Sequence, residues 1–247
     1  MKVYLAGTSS LKKHQEIITQ SKYFLESFYS IKKWQIPYLL KANDFLLDSG
    51  AFTFMGSKQK IDFEKYIYDY AEFINKYSIK NFFELDIESV VGWHEYNRLN
   101  EKLKVLTHRL PIPVFHKERG KDWFLKAVNE YPYIAYGGIA IDRKNMKKEE
   151  FEVIPWFIKK AHEKNSRIHG LGFTSTSMFK KIRFDTIDST TWTMGGRMGN
   201  LCYMTQSGEM RQYYPSKNGQ KPKDVEKINL FNYLEWCKFQ KYAEENL

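Results

Sequence analysis

Five apolar runs in this sequence end in groups that could do chemistry: FLLDSGAF (45–52), FFELDIES (82–89), IPVFHKE (112–118), YIAYGGIAI (133–141) and FDTIDSTTW (184–192). Asp48, Asp86 and Asp188 carry the most weight. A carboxylate placed against a ligand can attack carbon as a nucleophile, move a proton, or accept hydrogen bonds from a donor edge. In an α/β barrel the C-terminal ends of several strands supply the reacting groups, and that is the pattern these runs make.

Each candidate has a plainer reading beside it. In LLDSGAF, Ser49 and Gly50 permit a tight turn and close backbone approach to a ligand, while Asp-Ser-Gly is also a common capping turn. In ELDIES, alternation puts Glu84, Asp86 and Glu88 on one face of an ideal strand. Three crowded like charges would raise a pKa or bind a cation. Gly137-Gly138 offers bare backbone amides at a strand end, or simply room for a neighbouring helix. MGGRMG (194–199) reads as a flexible loop whose Arg197 could approach a phosphate. Phe52, Phe115, Tyr136 and Trp192 are near enough to strand ends to stack on a base, although such rings are more often core. His116 and His169 could join Asp86 as metal ligands, but no H-x-H or H-E-x-x-H spacing supports a metal. No G-x-S-x-G marks a serine nucleophile.

Strand-like and helix-like segments alternate to position these groups. KVYLAG (2–7), 45–48, 81–87, 112–116, 133–139, 167–173 and 183–189 read as strands. Residues 11–30, 94–106, 121–130 and about 147–164 read as helices, with only a short helix over 175–181. Residues 62–77 form another helix, with Phe63, Ile67, Tyr70, Ala71, Ile74 and Tyr77 on one stripe and Asp62 as N-cap. Residues 200–206 and 209–214 form a hairpin around Ser207-Gly208, and a last helix covers about 224–245. Seven or eight β-α units imply a parallel sheet. The expected fold is α/β, a (β/α)8 TIM-type barrel in a single domain over residues 1–247, with a C-terminal hairpin and helix. A doubly wound sheet would gather its ligand contacts at one switch point, whereas polar groups here end at least five strands.

The 247 residues match the roughly 250 of one α/β barrel, and 43% hydrophobic residues allow a full core. No apolar stretch nears the roughly 20 residues of a membrane span. The N-terminus reads as a first strand and turn, not a leader, so a cytoplasmic setting is expected. Cys202 and Cys237 form no C-x-x-C pair and read as two unpaired thiols. The net charge of +10 suits a polyanionic partner or, equally, a lysine-rich solvated surface. Basic residues bunch at Lys12/Lys13, Lys32/Lys33, Lys117/Arg119/Lys121, Arg143/Lys144/Lys147/Lys148, Lys180/Lys181/Arg183 and Lys217/Lys221/Lys223.

Taken in order, these motifs resemble the guanine transglycosylases, barrel enzymes that exchange guanine for a 7-deazaguanine base. LLDSGAF is similar to that family's D-S-G-G-F-Q segment, with Ala51 and Thr53 replacing Gly and Gln. ELDIES is similar to its purine-reading strand, YIAYGGIA to its Gly-Gly-Leu-Ala segment and FDTIDSTTW to its nucleophile strand. PVFH stands where the family has a base-contacting glutamine, so His116 is a substitution. The correspondence covers roughly residues 44 to 200. The C-x-C-x-x-C…H zinc element of the tRNA enzymes is missing and the chain is shorter. Both departures resemble the compact DNA-modifying relatives of phages and bacteria.

The resemblance implies a base-exchange glycosyltransferase with Asp188 as nucleophile and Asp48 as proton handler. It implies substrate binding by Asp86, His116, Gly137, Gly138, Ser49, Gly50 and Phe52. Arg197, Lys117 and Arg119 are the candidate nucleic-acid contacts. No cofactor or metal is implied. The expected partners are DNA, with tRNA as the alternative, and a free 7-deazaguanine base; a protein that helps open the duplex stays an open partner. The setting would be cytoplasmic, in the host for a phage-borne chain. An N-glycoside hydrolase and a non-catalytic nucleic-acid-binding barrel stay open as alternatives, and Glu84 and Glu88 have no assigned role.

Overall fold

Eight strands pair in parallel in the order β4-β3-β2-β1-β8-β7-β6-β5, forming one curled sheet flanked by helices. They are β1 Lys2–Ala6, β2 Tyr23–Ser27, β3 Asp44–Asp48, β4 Asn81–Phe82, β5 Val114–Phe115, β6 Tyr133–Tyr136, β7 Arg167–Gly170 and β8 Thr186–Ser189. The fold is α/β and TIM-like. The computed structural model describes residues 1–55, 61–139, 148–214 and 224–247; the basic groups at 143–147 and 217–223 lie outside them.

Side-chain alternation sorts the strands into an inner and an outer face. Val3, Leu5, Phe24, Ile134 and Ile168 point outward into the main core beneath the helices. Tyr4, Tyr23, Leu25, Leu46, Tyr133 and Ala135 fill the interior. The helix Phe63–Lys76 forms as its stripe requires: the Asp62 side chain accepts from Lys65 N, and Ile67, Tyr70, Ala71 and Ile74 are buried against β3 and β4.

The sheet's two edges meet without a ladder. A single bridge, Phe83 to Ile112, joins β4 to the approach of β5, through Ile112 N to Phe82 O at 2.8 Å and Glu84 N to Ile112 O at 3.0 Å. Pro111 and Pro113 flank Ile112 and have no N–H to extend a ladder. Val114 N instead donates to the Glu84 carboxylate at 2.9 Å. The strand expected over 81–87 is therefore short, and the barrel expected from sequence is a curled sheet joined at this one bridge.

Residues 11–30 correct the helix expected there. They begin at the end of a 3-10 turn, Thr8–Leu11, and form a second, Gln15–Gln20, followed by strand β2. MGGRMG is not a loop either. Residues 191–198 are helical; Thr191 N is accepted by Ser189 Oγ at the start, and Gly199 stops the helix at φ +77°.

The hairpin forms as expected from β9 Leu201–Met204 and β10 Met210–Tyr213, followed by the helix Val225–Asn246. That helix closes against the barrel wall through Gln240, whose Nε2 donates to Val3 O at 2.7 Å and to Tyr23 O at 3.2 Å. No helix among the described residues is long and apolar enough to cross a membrane.

Candidate active site

At the C-terminal ends of the strands lies a cavity of about 420 Å³. Asp48, Asp86, His116, Gly137, Gly138, Asp188 and Phe52 all line it, so five separate strand ends converge as their sequence pattern anticipates. Its charged lining is otherwise acidic, with Glu26 and Glu84 added, and among the described residues no Lys or Arg lines it.

Asp48 ends β3. Its Oδ2 accepts from Gly50 N at 2.9 Å. Burial, reinforced by the charges of Asp188 and Asp86, pushes its carboxyl up to about 6 against the pull of the Gly50 amide. The Gly50 amide serves this carboxylate from behind, and neither Ser49 nor Gly50 lines the cavity. Ser49 is buried, and its carbonyl accepts from Tyr66 Oη at 2.6 Å. Gly50 has φ +86°, and a Cβ there would come within 2.6 Å of Tyr29 Cβ, so the turn requires glycine.

Asp188, on β8, is nearly buried. Its Oδ1 accepts from Gly172 N at 2.7 Å and lies 3.2 Å from His169 Nε2. His169 is fully buried, with Nδ1 2.7 Å from Thr186 Oγ1, which in turn meets Tyr133 Oη at 2.5 Å. The histidine weighed as a metal ligand is thus the middle of a hydrogen-bonded chain behind Asp188. Among the described residues no group of three or more His, Cys, Asp or Glu side chains could hold a metal ion.

Asp86 sits between His116 and Arg119. Its Oδ2 is 2.7 Å from His116 Nε2 and its Oδ1 is 3.5 Å from Arg119 Nη2. Burial pulls the His116 imidazole down, but its hydrogen bond to Asp86 and that charge outweigh burial and leave its pKa raised. Arg119 also meets Glu84 at 3.2 Å and Glu88 at 2.9 Å. The crowded acidic triplet does bind a cation, and the cation is this guanidinium. Its side chain is only 3% exposed and stacks among Trp93, Tyr96 and Trp123. Arg119 is therefore a buried clamp, not the surface contact to nucleic acid expected from the Lys117/Arg119/Lys121 bunch. Burial raises the Glu84 carboxyl, with Arg119 opposing.

Gly137 N donates to Phe115 O at 2.8 Å, so this amide belongs to the sheet and is not bare. What the position supplies is space, because a Cβ would sit 2.8 Å from His116 Cε1 and Val114 Cγ1. Of the four candidate stacking rings, Phe115, Tyr136 and Trp192 are core. Phe52 lines the cavity while 70% exposed. Lys117 is exposed beside a neighbouring cavity with Lys121. The Arg197 side chain lies outside the described residues.

One cavity carboxyl escapes a sequence reading. Glu26 is 4% exposed, on the strand hidden inside the expected helix 11–30. Its Oε1 accepts from Thr8 N and Thr8 Oγ1, both at 2.6 Å, and burial pushes it up to about 7. The signal was available in YFLES, an apolar run ending in a carboxylate like the others.

No family model matches the chain, and no curated protein matches it.

Proposed function

We propose that the chain is a base-exchange glycosyltransferase that replaces guanine in DNA with a 7-deazaguanine derivative. The observation that carries this reading is the convergence of Asp48, Asp86 and Asp188 on one cavity with the exposed ring of Phe52 at its edge. Its lining favours a neutral, donor-rich ligand such as a purine edge over a phosphate. Exposed lysines stand outside it, at Lys12, Lys13, Lys32 and Lys33 in the connections after β1 and β2, and at Lys117 and Lys121 in the helical turns that follow β5. An acidic floor and a basic rim suit a nucleotide whose base enters while its phosphates stay outside.

With Asp188 Oδ1 engaged by Gly172 N and His169, attack on the sugar C1′ falls to Oδ2. The new C–O bond forms as the C1′–N9 bond breaks, and the departing guanine anion takes a proton at N9 from water, whose hydroxide is neutralised by the proton Asp48 later receives. The incoming base then attacks C1′ through its own ring nitrogen, whose proton passes to Asp48, and the Asp188 ester is released. Two displacements retain the configuration. Asp86, held between His116 and Arg119, accepts from the donor groups of the purine edge.

The test is incubation of the chain with guanine-containing DNA and a labelled 7-deazaguanine base, followed by nucleoside analysis. Label in DNA is expected. Label in tRNA alone would move the reading to the tRNA enzymes. Guanine release without incorporation would make the chain a hydrolase. Salt-dependent binding with neither outcome would make it a binding protein.

A further inference from the structure

A second cavity, of about 410 Å³, opens beside the first and plays no part in the exchange chemistry. The two adjoin through the same loops: Gly172 and Thr190 line the first, Thr174 and Thr191 the second. This neighbour is walled by hydroxyls, from Thr174 to Ser177 and at Thr191, and by Arg211 and Gln212 of the hairpin. Glu209, the one carboxylate lining it among the described residues, lies 3.5 Å from Arg211, whose side chain remains 63% exposed. An exposed pair of this kind holds little energy and leaves the guanidinium available to another anion.

Cys202 and Gln212 line this cavity from the hairpin's inner face, while Arg211, which also lines it, belongs to the outer face. Arg211 stands opposite Tyr203 and Tyr213 opposite Leu201, so alternation puts these four side chains on one face. Tyr203 is 38% and Tyr213 57% exposed. Diagonal neighbours across an antiparallel pair lie roughly 7–8 Å apart, a separation that admits a flat base between two rings. The hairpin is a fixed platform: Cys202 N donates to Asn232 Oδ1 at 2.7 Å and Met204 N to Glu235 Oε2 at 2.9 Å, both acceptors on the C-terminal helix. Aromatic faces interleaved with a cation beside a hydroxyl-lined cavity are what a single-stranded polynucleotide requires of a protein.

We propose that this second cavity and the outer face of the hairpin seat the single-stranded segment next to the target nucleotide, with a phosphodiester against Arg211 and the loop hydroxyls and a neighbouring base on Tyr203 and Tyr213. The proposal rests on the nucleic-acid reading above and adds the direction in which the strand leaves the cavity, across the ends of β7 and β8.

The test is fluorescence anisotropy with a labelled single-stranded oligonucleotide containing one guanine, run in DNA and RNA forms over a salt series. Arg211→Glu is expected to weaken binding about tenfold and to flatten the log–log salt slope by about 1. Tyr203→Ala with Tyr213→Ala is expected to weaken binding at least about fivefold with the slope unchanged. Tyr203→Phe with Tyr213→Phe keeps the rings and is expected to bind as the wild type does. Thermal unfolding and binding of the free base should be unaltered in every variant. Wild-type binding undiminished by the Arg211 and alanine changes overturns the proposed surface and leaves the nucleic-acid reading standing. A wild-type chain that binds no oligonucleotide even at low salt overturns both.

Discussion

The two walls of the cavity hold their carboxylates by opposite means. On the β7–β8 side, Asp188 is fixed by a backbone amide and by His169, and among the described residues no Lys or Arg pairs with it. On the β4–β5 side, Asp86 is clamped between His116 and a guanidinium that also holds Glu84 and Glu88. A carboxylate clamped by a guanidinium has its charge largely neutralised and makes a fixed acceptor. One held by an amide and an imidazole keeps electron density for attack on carbon. On the proposed reading, the same residue type would thus be divided between base recognition and attack by what stands behind it.

The largest effect that would break this contrast is at Asp188. Asp188→Asn is expected to lower single-turnover base exchange at least about a thousandfold while free-base binding, followed by calorimetry, survives. Retained turnover would make the two walls chemically equivalent. Next comes the clamp. Arg119→Ala leaves the buried Glu84 unpaired and is expected to cost ~3–5 kcal/mol in urea unfolding, part of it restored by adding Glu84→Gln. A loss within the range of a surface ion pair would show that the network is not the anchor of its wall.

A third prediction concerns Asp48, between the two walls. It must be ionised to receive a proton, and its carboxyl sits at about 6. The exchange rate should fall roughly tenfold per pH unit below that value, and Asp48→Asn should abolish the acid limb together with most of the rate. The smallest effect is read at His116. In Asp86→Asn the burial that lowers its pKa loses its opponent, so the imidazole should titrate lower by NMR. The sign extends to stability. A histidine raised on folding stabilises fully below its ordinary 6.5 and loses that contribution as pH rises through the raised value, a slope the variant should lack.

What could be read from sequence was local. Asp62 and the stripe behind it gave the helix 63–76 because cap and periodicity lie within one segment. Asp48, Asp86 and Asp188 stood out because each follows its own apolar run. Arg119 was misplaced because its partners Glu84 and Glu88 are 35 and 31 residues away, and an arginine between lysines reads as surface. Glu26 was lost for a different reason. A five-residue buried strand after two short 3-10 turns mimics helical spacing, so strand and carboxylate vanished together.

The single bridge between Phe83 and Ile112 has a consequence for how the molecule breathes. Eight strands share seven ladders, and the eighth junction is stitched by side chains: Glu84 to Val114 N, and Asp86 to His116. A purine held by Asp86 would rest on this seam. The amides of Glu84, Ile112 and Val114 should then exchange hydrogen fastest among the strands in the empty protein, and slow most when a base is bound. The ligand would act there as the missing rung.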